Sequence, residues 1–309
     1  YFKKSYCSIY AGKYEAALYG FQKVIGRPLS QYTYPSIYYS GYVNYLTHKF
    51  EDAFSFFNEA KVDARFRELS EYYMVECKFM VKDYDYTIEN GPRLYDKVTA
   101  EQKSDLSRMV AESYYAKGRS TEAMTHLRYY IDSGVQLSRK DLYFVGVLSY
   151  SLGSYKEAVQ SLSKVTGDED QLGQSAWYYA ANSYLKLRNK VAAMDAFRHA
   201  GATSFDAVVQ EDALFNYAKL AFDVNSDISA FEDYVSRYPD SGKDDVFNNY
   251  IAVSFLSHKD YSSAIEALHK VNHPTDEGLQ NLQKALVLRS VELISDGSYR
   301  QAAPMHEEE

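Results

Sequence analysis

The chain has 309 residues, of which 46% are hydrophobic and 25% are charged, and its formal net charge is −8. Lys and Arg are scattered among acidic residues rather than clustered, and a nucleic-acid surface needs clustered cations to neutralise phosphates, so we expect no nucleic-acid partner. No apolar stretch approaches the roughly 20 residues that cross a bilayer, so we expect no membrane span in this sequence.

A short pattern recurs along the chain: a turn, a few polar or aromatic residues, and then an alanine. Successive alanines are separated by 36, 70, 35, 35, 71 and 38 residues. The two double steps each hide a degenerate copy, one near Thr87 and one between Asp227 and Ala230. A period near 35 predicts nine stacked hairpins, each with a first helix A and a second helix B. The repeated helix-B alanines are Ala17, Ala53, Ala123, Ala158, Ala193, Ala264 and Ala302.

In chain order, the predicted hairpins cover residues 1–28, 30–62, 65–97, 99–134, 138–167, 172–201, 206–241, 243–273 and from 278 onward. In the third hairpin, Asn90-Gly91-Pro92 interrupts helix B. Asp168-Glu169-Asp170 precedes a helix and is predicted to cap its N-terminus. Gly or Asn just before helix B is expected to support the tight turn, because glycine tolerates positive φ. Pro304 would lie inside the last helix B, where it blocks a hydrogen bond.

The repeat resembles that of the tetratricopeptide family over essentially the whole chain. Small residues stand twelve positions before the helix-B alanines. The only tryptophan, Trp177, stands four positions before one of these small residues, Ala181. Tyr238-Pro239-Asp240-Ser241 is similar to a repeat terminator of periplasmic members. Alanine followed four residues later by phenylalanine occurs at Ala17 and Phe21, Ala53 and Phe57, and Ala193 and Phe197. The small residues of helix A are Gly41, Ala111, Gly146, Ala181 and Ala252.

The resemblance implies an all-α fold, a right-handed α-α superhelix or solenoid of about nine helix-turn-helix hairpins. Each unit of a solenoid contacts only its neighbours, so we expect residues 1–309 to form one continuous domain. The chain starts at Tyr1 inside an apolar helix and has no initiator Met. We therefore expect it to be a piece of a longer protein.

No catalytic motif stands out, because the sequence has no phosphate-binding Gly-x4-Gly-Lys loop, no Gly-x-Ser-x-Gly elbow and no Cys-x2-Cys pair. His269 and His273 have a spacing that could hold a metal from one helix face, but no third ligand is near. Cys7 and Cys77 lie in different units, and a disulfide between them is not expected. We predict a non-enzymatic protein without catalytic residues, metal or cofactor.

In the tetratricopeptide family, three positions of helix A point into the concave groove: three residues before the small residue, one after it and four after it. A ladder of tyrosines with polar groups between them is typical of a peptide-binding surface. The alternative is that these tyrosines pack between adjacent A helices. The predicted groove residues are Tyr38, Tyr42, Tyr45, Tyr72, Glu76, Arg108, Glu112, Tyr115, Tyr143, Tyr150, Tyr178 and Asn182.

The resemblance therefore predicts a scaffold that binds a protein or peptide partner through its groove. The alternative is an assembly or linker segment of a larger protein, with any catalytic or regulatory domain elsewhere. The terminator and the tyrosine-rich composition favour a bacterial periplasmic or outer-membrane-associated location over a cytoplasmic one.

Overall fold

The computed structural model describes residues 1–303, and this part of the chain is built from helices with no strand. Eighteen α-helices follow one another, with one 3-10 turn at Pro92–Leu94 after the sixth. The helices are α1 Phe2–Tyr10, α2 Tyr14–Ile25, α3 Thr33–Leu46, α4 Phe50–Ala60, α5 Arg67–Met80, α6 Tyr84–Asn90, α7 Ala100–Ala116, α8 Ser120–Asp132, α9 Arg139–Ser151, α10 Tyr155–Leu162, α11 Gln171–Lys186, α12 Lys190–Ala202, α13 Ala207–Asn225, α14 Ser229–Arg237, α15 Asp244–Ser257, α16 Tyr261–His269, α17 Asp276–Ser295 and α18 Tyr299–Ala302.

Within residues 1–303 the helices form nine consecutive hairpins, as the period predicts. Odd-numbered helices are the A helices and even-numbered helices are the B helices. The chain divides into two compact units, with the boundary inside α10. The first unit is Tyr1–Ala158 and the second begins at Val159.

The repeated alanines are buried, because each lies where helix B meets its helix A. Ala53 and Phe57 have no exposed surface, and a Cβ on Gly41 of the facing helix would lie 3.0 Å from the Phe57 ring. Only a small residue at position 41 lets the two backbones approach this closely. Truncating a buried phenylalanine of this kind costs about 3–5 kcal/mol of stability. The degenerate copies hold the same place, with Thr87 at 0% and Ala230 at 7% exposure.

The turn between helix A and helix B contains a residue with positive φ in each of the nine hairpins within residues 1–303. Glycine supplies it in four of them, for example Gly118 with φ 73°. In the other five a non-glycine residue takes it: His48, Lys82, Arg188, Ser226 and Lys259. The expectation that Gly or Asn supplies this turn is thus wrong at that position in five of the nine hairpins. Asn189 instead caps α12 by accepting a hydrogen bond from the Ala192 amide at 3.1 Å.

Several local predictions are confirmed. Helix α6 ends at Asn90, and the chain continues into the 3-10 turn that starts at Pro92. The Asp170 carboxylate accepts a hydrogen bond from the Gly173 amide at 2.7 Å and caps α11. The prediction for Pro304 lies outside the described residues.

Ion pairs link the start of helix B in one hairpin to the end of helix A in the next. In the first unit Lys117 of α7 contacts Asp85 of α6 at 2.8 Å. In the second unit Lys190 of α12 contacts Asp223 of α13 at 2.9 Å. The acid is on helix B in the first case and on helix A in the second. The positions of the acidic and basic partners at this contact are therefore exchanged between the two ion pairs.

None of the helices within residues 1–303 has the length and apolar character needed to cross a membrane. Cys7 is exposed and Cys77 is buried, and both are free thiols. His273 lies at the surface, where its Nδ1 is 3.5 Å from an Asp245 carboxylate oxygen.

Candidate functional site

The predicted groove residues at the start of the tyrosine ladder divide into buried and half-buried side chains. Tyr38 is 7% exposed, and its ring stacks on Phe66 with centroids 4.9 Å apart. Tyr72 is 6% exposed. These two rings are therefore packing residues, as in the alternative to an open groove. Tyr42 and Tyr45 are half-buried, and both contact Tyr73, with ring centroids 5.7 and 5.1 Å away.

The Tyr72 hydroxyl connects two carboxyl groups on neighbouring A helices. It lies 3.2 Å from Glu76 Oε1 on α5 and 3.4 Å from Asp105 Oδ2 on α7. The pKa of Glu76 is raised to about 7, chiefly by burial and to a smaller extent by the Asp105 charge. Hydrogen bonds from Tyr72 and Tyr45 and the charge of Arg108 act in the opposite direction and offset only part of the effect of burial. Burial likewise raises the pKa of Asp105.

Arg108 and Glu112 form a close ion pair one turn apart on α7. Arg108 Nη1 donates to Glu112 Oε1 at 2.6 Å, and both side chains are about one-third exposed. Burial alone would lower the pKa of Arg108, but Glu112, Asp105 and Tyr130 together raise it. The guanidinium therefore stays charged and is engaged by acids of its own chain.

A cavity of about 620 Å³ opens beside this ion pair, within the first unit. Five aromatic rings line it from five successive helices: Phe79 on α5, Tyr84 on α6, Tyr115 on α7, Tyr130 on α8 and Phe144 on α9. The Tyr115 and Phe144 rings meet edge to face at 5.5 Å, and the Phe79 and Tyr84 rings lie 6.4 Å apart. The polar lining is Arg108, Glu112, Tyr130, Ser138, Lys140 and Asp141.

The wall formed by α8 and α9 is fixed by hydrogen bonds of Asp141. Its Oδ2 accepts from the Tyr130 hydroxyl at 3.1 Å and from the Ser138 backbone amide at 2.8 Å. Ser138 in turn accepts from the Asp141 amide, which completes a capping box at the start of α9. Such reciprocal caps hold the first turn of a helix in place. Lys140, between these two residues, is exposed at the rim of the cavity.

The structure brings together six of the predicted groove residues in the first unit. They are Tyr45, Tyr72, Glu76, Arg108, Glu112 and Tyr115. Tyr143 and Tyr150 are half-buried on α9, and the Tyr150 ring contacts Tyr155 at 5.8 Å.

In the second unit, Tyr178 of α11 donates to Asp212 of α13 at 2.6 Å. This bond repeats the Tyr72–Asp105 arrangement, again between consecutive A helices. The Asn182 side chain donates to the Tyr178 carbonyl at 3.0 Å, on its own helix. A separate cavity of about 400 Å³ lies between α15 and α17, lined by Val246, Tyr250, Val253 and Asn281 among others.

Three kinds of site residue escaped the sequence reasoning. Asp105 and Lys140 stand six residues before Ala111 and Gly146, two turns back from the small residue of helix A. Tyr84 is the first residue of a helix B, and Phe144 directly follows Tyr143, the predicted groove residue on α9. A charged residue six positions before the small residue of helix A could have indicated these sites. The same spacing recurs at Asp212, six residues before Ala218, the small residue of α13.

This geometry suits binding. The cavity combines aromatic surface, which desolvates a ligand, with fixed charges that orient it. Its carboxylates are held by hydrogen bonds from their own chain, and its arginine is paired.

Comparison with known proteins agrees with the architecture described above. No protein-family model and no curated protein sequence matches the chain. Among solved structures, the chain is similar to the C-terminal part of a TPR repeat-containing protein from Cytophaga hutchinsonii. The TM-score is 0.54 at 15% sequence identity, over 79% of this chain and 99% of that one.

Two further structures align over most of the chain with lower scores. RapI in its apo form gives a TM-score of 0.49 at 13% identity, over 95% of this chain and 84% of that one. The quorum sensor NprR from B. thuringiensis gives 0.47 at 13% identity, over 99% of this chain and 84% of that one. The hairpin architecture and the similarity to the Cytophaga hutchinsonii structure show that the chain has the fold of an all-α repeat protein. Within that class, the chain has the tetratricopeptide-repeat fold.

Proposed function

We propose that this chain is a non-enzymatic interaction protein that binds a segment of a protein partner in the cavity of its first unit. The observation that carries the proposal is the set of five aromatic rings that line a cavity of about 620 Å³, together with Arg108 and Glu112. Ligand cavities are commonly about 300–1,000 Å³ and are lined by apolar groups with a few placed polar ones. A cavity of this size accommodates one or two side chains of an extended segment.

Half-buried aromatic side chains supply most of the binding energy in protein interfaces, because they lose little conformational entropy when a partner covers them. Tyr115 and Phe144 are both half-buried and contact each other. Their neighbours on α7 and α9 are anchored by the ion pair and the capping box. The surface is thus largely formed before a partner arrives, which lowers the cost of binding.

Catalysis by Glu76 is the competing interpretation, because a carboxyl with a pKa near 7 beside a second acid is typical of general acid–base sites. However, neither Glu76 nor Asp105 lines the cavity. Both carboxyl groups face the Tyr72 hydroxyl, which is itself buried. Their arrangement therefore supports a structural and electrostatic role.

The test is selection of peptides from a random library of roughly ten-residue sequences on the full chain. We expect recovered peptides to lose affinity by about tenfold or more when Tyr115 or Phe144 is replaced by Ala. Tyr19→Ala is the matched control, since Tyr19 is a 62% exposed aromatic residue on α2, away from the cavity. Thermal melts of all variants separate loss of binding from loss of fold. Recovery of no peptide, or only of peptides indifferent to Tyr115→Ala and Phe144→Ala, would refute the proposal.

A further inference from the structure

We infer that the cavity of the first unit selects a basic side chain, Arg or Lys, placed between its aromatic rings and the Glu112 carboxylate. This inference rests on the proposed function and names the chemistry of the bound segment. It is carried by the ring arrangement and by the balance of charges around the cavity.

The aromatic lining favours a cation. The faces of Phe and Tyr rings carry partial negative charge and attract an ammonium or guanidinium group within about 6 Å. The chain already uses such contacts in the same unit, where the Arg119 guanidinium lies 4.7 Å from the Tyr114 ring centre. Five rings from five helices line the cavity, so a long basic side chain can lie along apolar surface with its charge at the polar edge.

The fixed charges favour a cation as well. Two carboxyl groups line the cavity, Glu112 and Asp141, and two more, Glu76 and Asp105, interact electrostatically with the Arg108 side chain that lines it. Two cations oppose them, Arg108 and Lys140. Burial is the main cause that raises the pKa of Glu76, and the Asp105 charge adds to it against the opposing charge of Arg108.

An anionic ligand is the competing possibility, and it finds a weaker site. Arg108 donates to Glu112 at 2.6 Å and also interacts with the Asp105 charge, so its guanidinium is already engaged by acids of its own chain. Within residues 1–303, Lys140 is the cation on this cavity that forms no ion pair. A single exposed lysine contributes little, because solvent and salt screen it.

The decisive variant is Lys140→Glu, read with peptides from the random library. Lys140 is exposed and lies in the first turn of α9, where an acidic residue favours the helix dipole, so the fold is retained. We expect selected peptides to be enriched in Arg or Lys, and Lys140→Glu to tighten their binding by roughly threefold or more. Exchanging the basic residue of the dominant peptide for Gln should weaken binding by about tenfold.

Glu112→Gln should change the affinity for the same peptides in the opposite direction. It removes the carboxylate while keeping the size of the side chain, and we expect about tenfold weaker binding. Selection of acidic peptides, or weaker binding of the selected peptides to Lys140→Glu, would overturn the inference while leaving the proposed function standing. Failure to select any peptide that depends on Tyr115 would overturn the proposed function and this inference together.

A pH titration gives an independent readout. The groups that act on the Glu76 carboxyl are Tyr72 on its own helix, Tyr45 on α3, and Asp105 and Arg108 on α7. A cation bound nearby stabilises the ionised carboxyl, so binding is coupled to proton release. Affinity for an arginine peptide should rise by roughly threefold to tenfold as pH rises from about 6 to 8. Glu76→Gln should flatten this profile, and an unchanged profile in that variant would contradict the coupling.

Discussion

Replacing Glu76 with Gln should make the protein more stable at neutral and alkaline pH. Burial is the main cause that raises the pKa of this carboxyl from its ordinary 4.5 to about 7 in the folded protein. The folded state therefore binds a proton that the unfolded chain has already released between these two pH values. Stability contributed by the protonated carboxyl is complete below about pH 4.5 and is lost as pH rises through 7. Glutamine cannot ionise, and its carbonyl oxygen can still accept from the tyrosine hydroxyls.

The size of the effect follows from the two pKa values. Each pH unit of difference corresponds to about 1.4 kcal/mol, so the rise from 4.5 to about 7 corresponds to at most about 3.5 kcal/mol. Glu76 keeps some solvent contact, and we expect a gain of about 1–3 kcal/mol for Glu76→Gln at pH 8. Near pH 4.5 the variant and the parent protein should have the same free energy of unfolding.

The assay is urea unfolding of both proteins across about pH 4.5 to 8, followed by far-UV circular dichroism. Trp177 is the only tryptophan and lies in the second unit, so its fluorescence does not report on α5. Burial lowers the pKa of His126, which makes the parent protein gain stability with pH near 6.5, opposite to Glu76. The difference between variant and parent removes this contribution. A Glu76→Gln protein that is less stable than the parent at pH 8 would refute the reasoning.

Three further substitutions test the packing. Gly91→Ala should cost about 2 kcal/mol, because its Cβ would lie 2.5 Å from Val110 Cγ2, and an unchanged urea midpoint would contradict this contact. Tyr178→Phe should cost about 1–2 kcal/mol by removing the 2.6 Å bond to Asp212, visible in the fluorescence-detected melt of the second unit; a melt equal to the parent's would show that the bond contributes nothing. Thr99→Ala should cost about 1 kcal/mol by removing the capping box of α7, whereas Thr99→Asp, which retains a capping oxygen, should restore most of it.

The sequence predicts the hairpins well because a buried helix crossing tolerates only small residues, and this leaves a periodic signal. Ala123 and Ala158 are fully buried as the period requires, and even the irregular copy at Thr87 holds its place. The turns were less predictable. His48 and Lys82 adopt positive φ without being glycine, since the surrounding helices fix the turn and offset about 1 kcal/mol of strain.

The cavity could be predicted only in part. The spacing of Arg108, Glu112 and Tyr115 from the small residue of their own helix identified them, and all three line the cavity. The remaining wall comes from Tyr84 at the start of a helix B and Phe144 on the next helix A. Such a wall depends on how neighbouring hairpins stack, and periodicity within one hairpin does not encode that arrangement.

The ion pairs between hairpins bear on how the order of repeats is maintained. Asp85 pairs with Lys117 in the first unit, whereas Lys190 pairs with Asp223 in the second. Exposed pairs of this kind contribute little to stability, and their larger effect is discrimination between partners. A hairpin shuffled from one unit into the other would bring Asp85 against Asp223, or Lys190 against Lys117. At these two contacts, the surface charges therefore disfavour recombined or intermolecularly swapped repeats, although the repeated small residues of the hairpin core are alike.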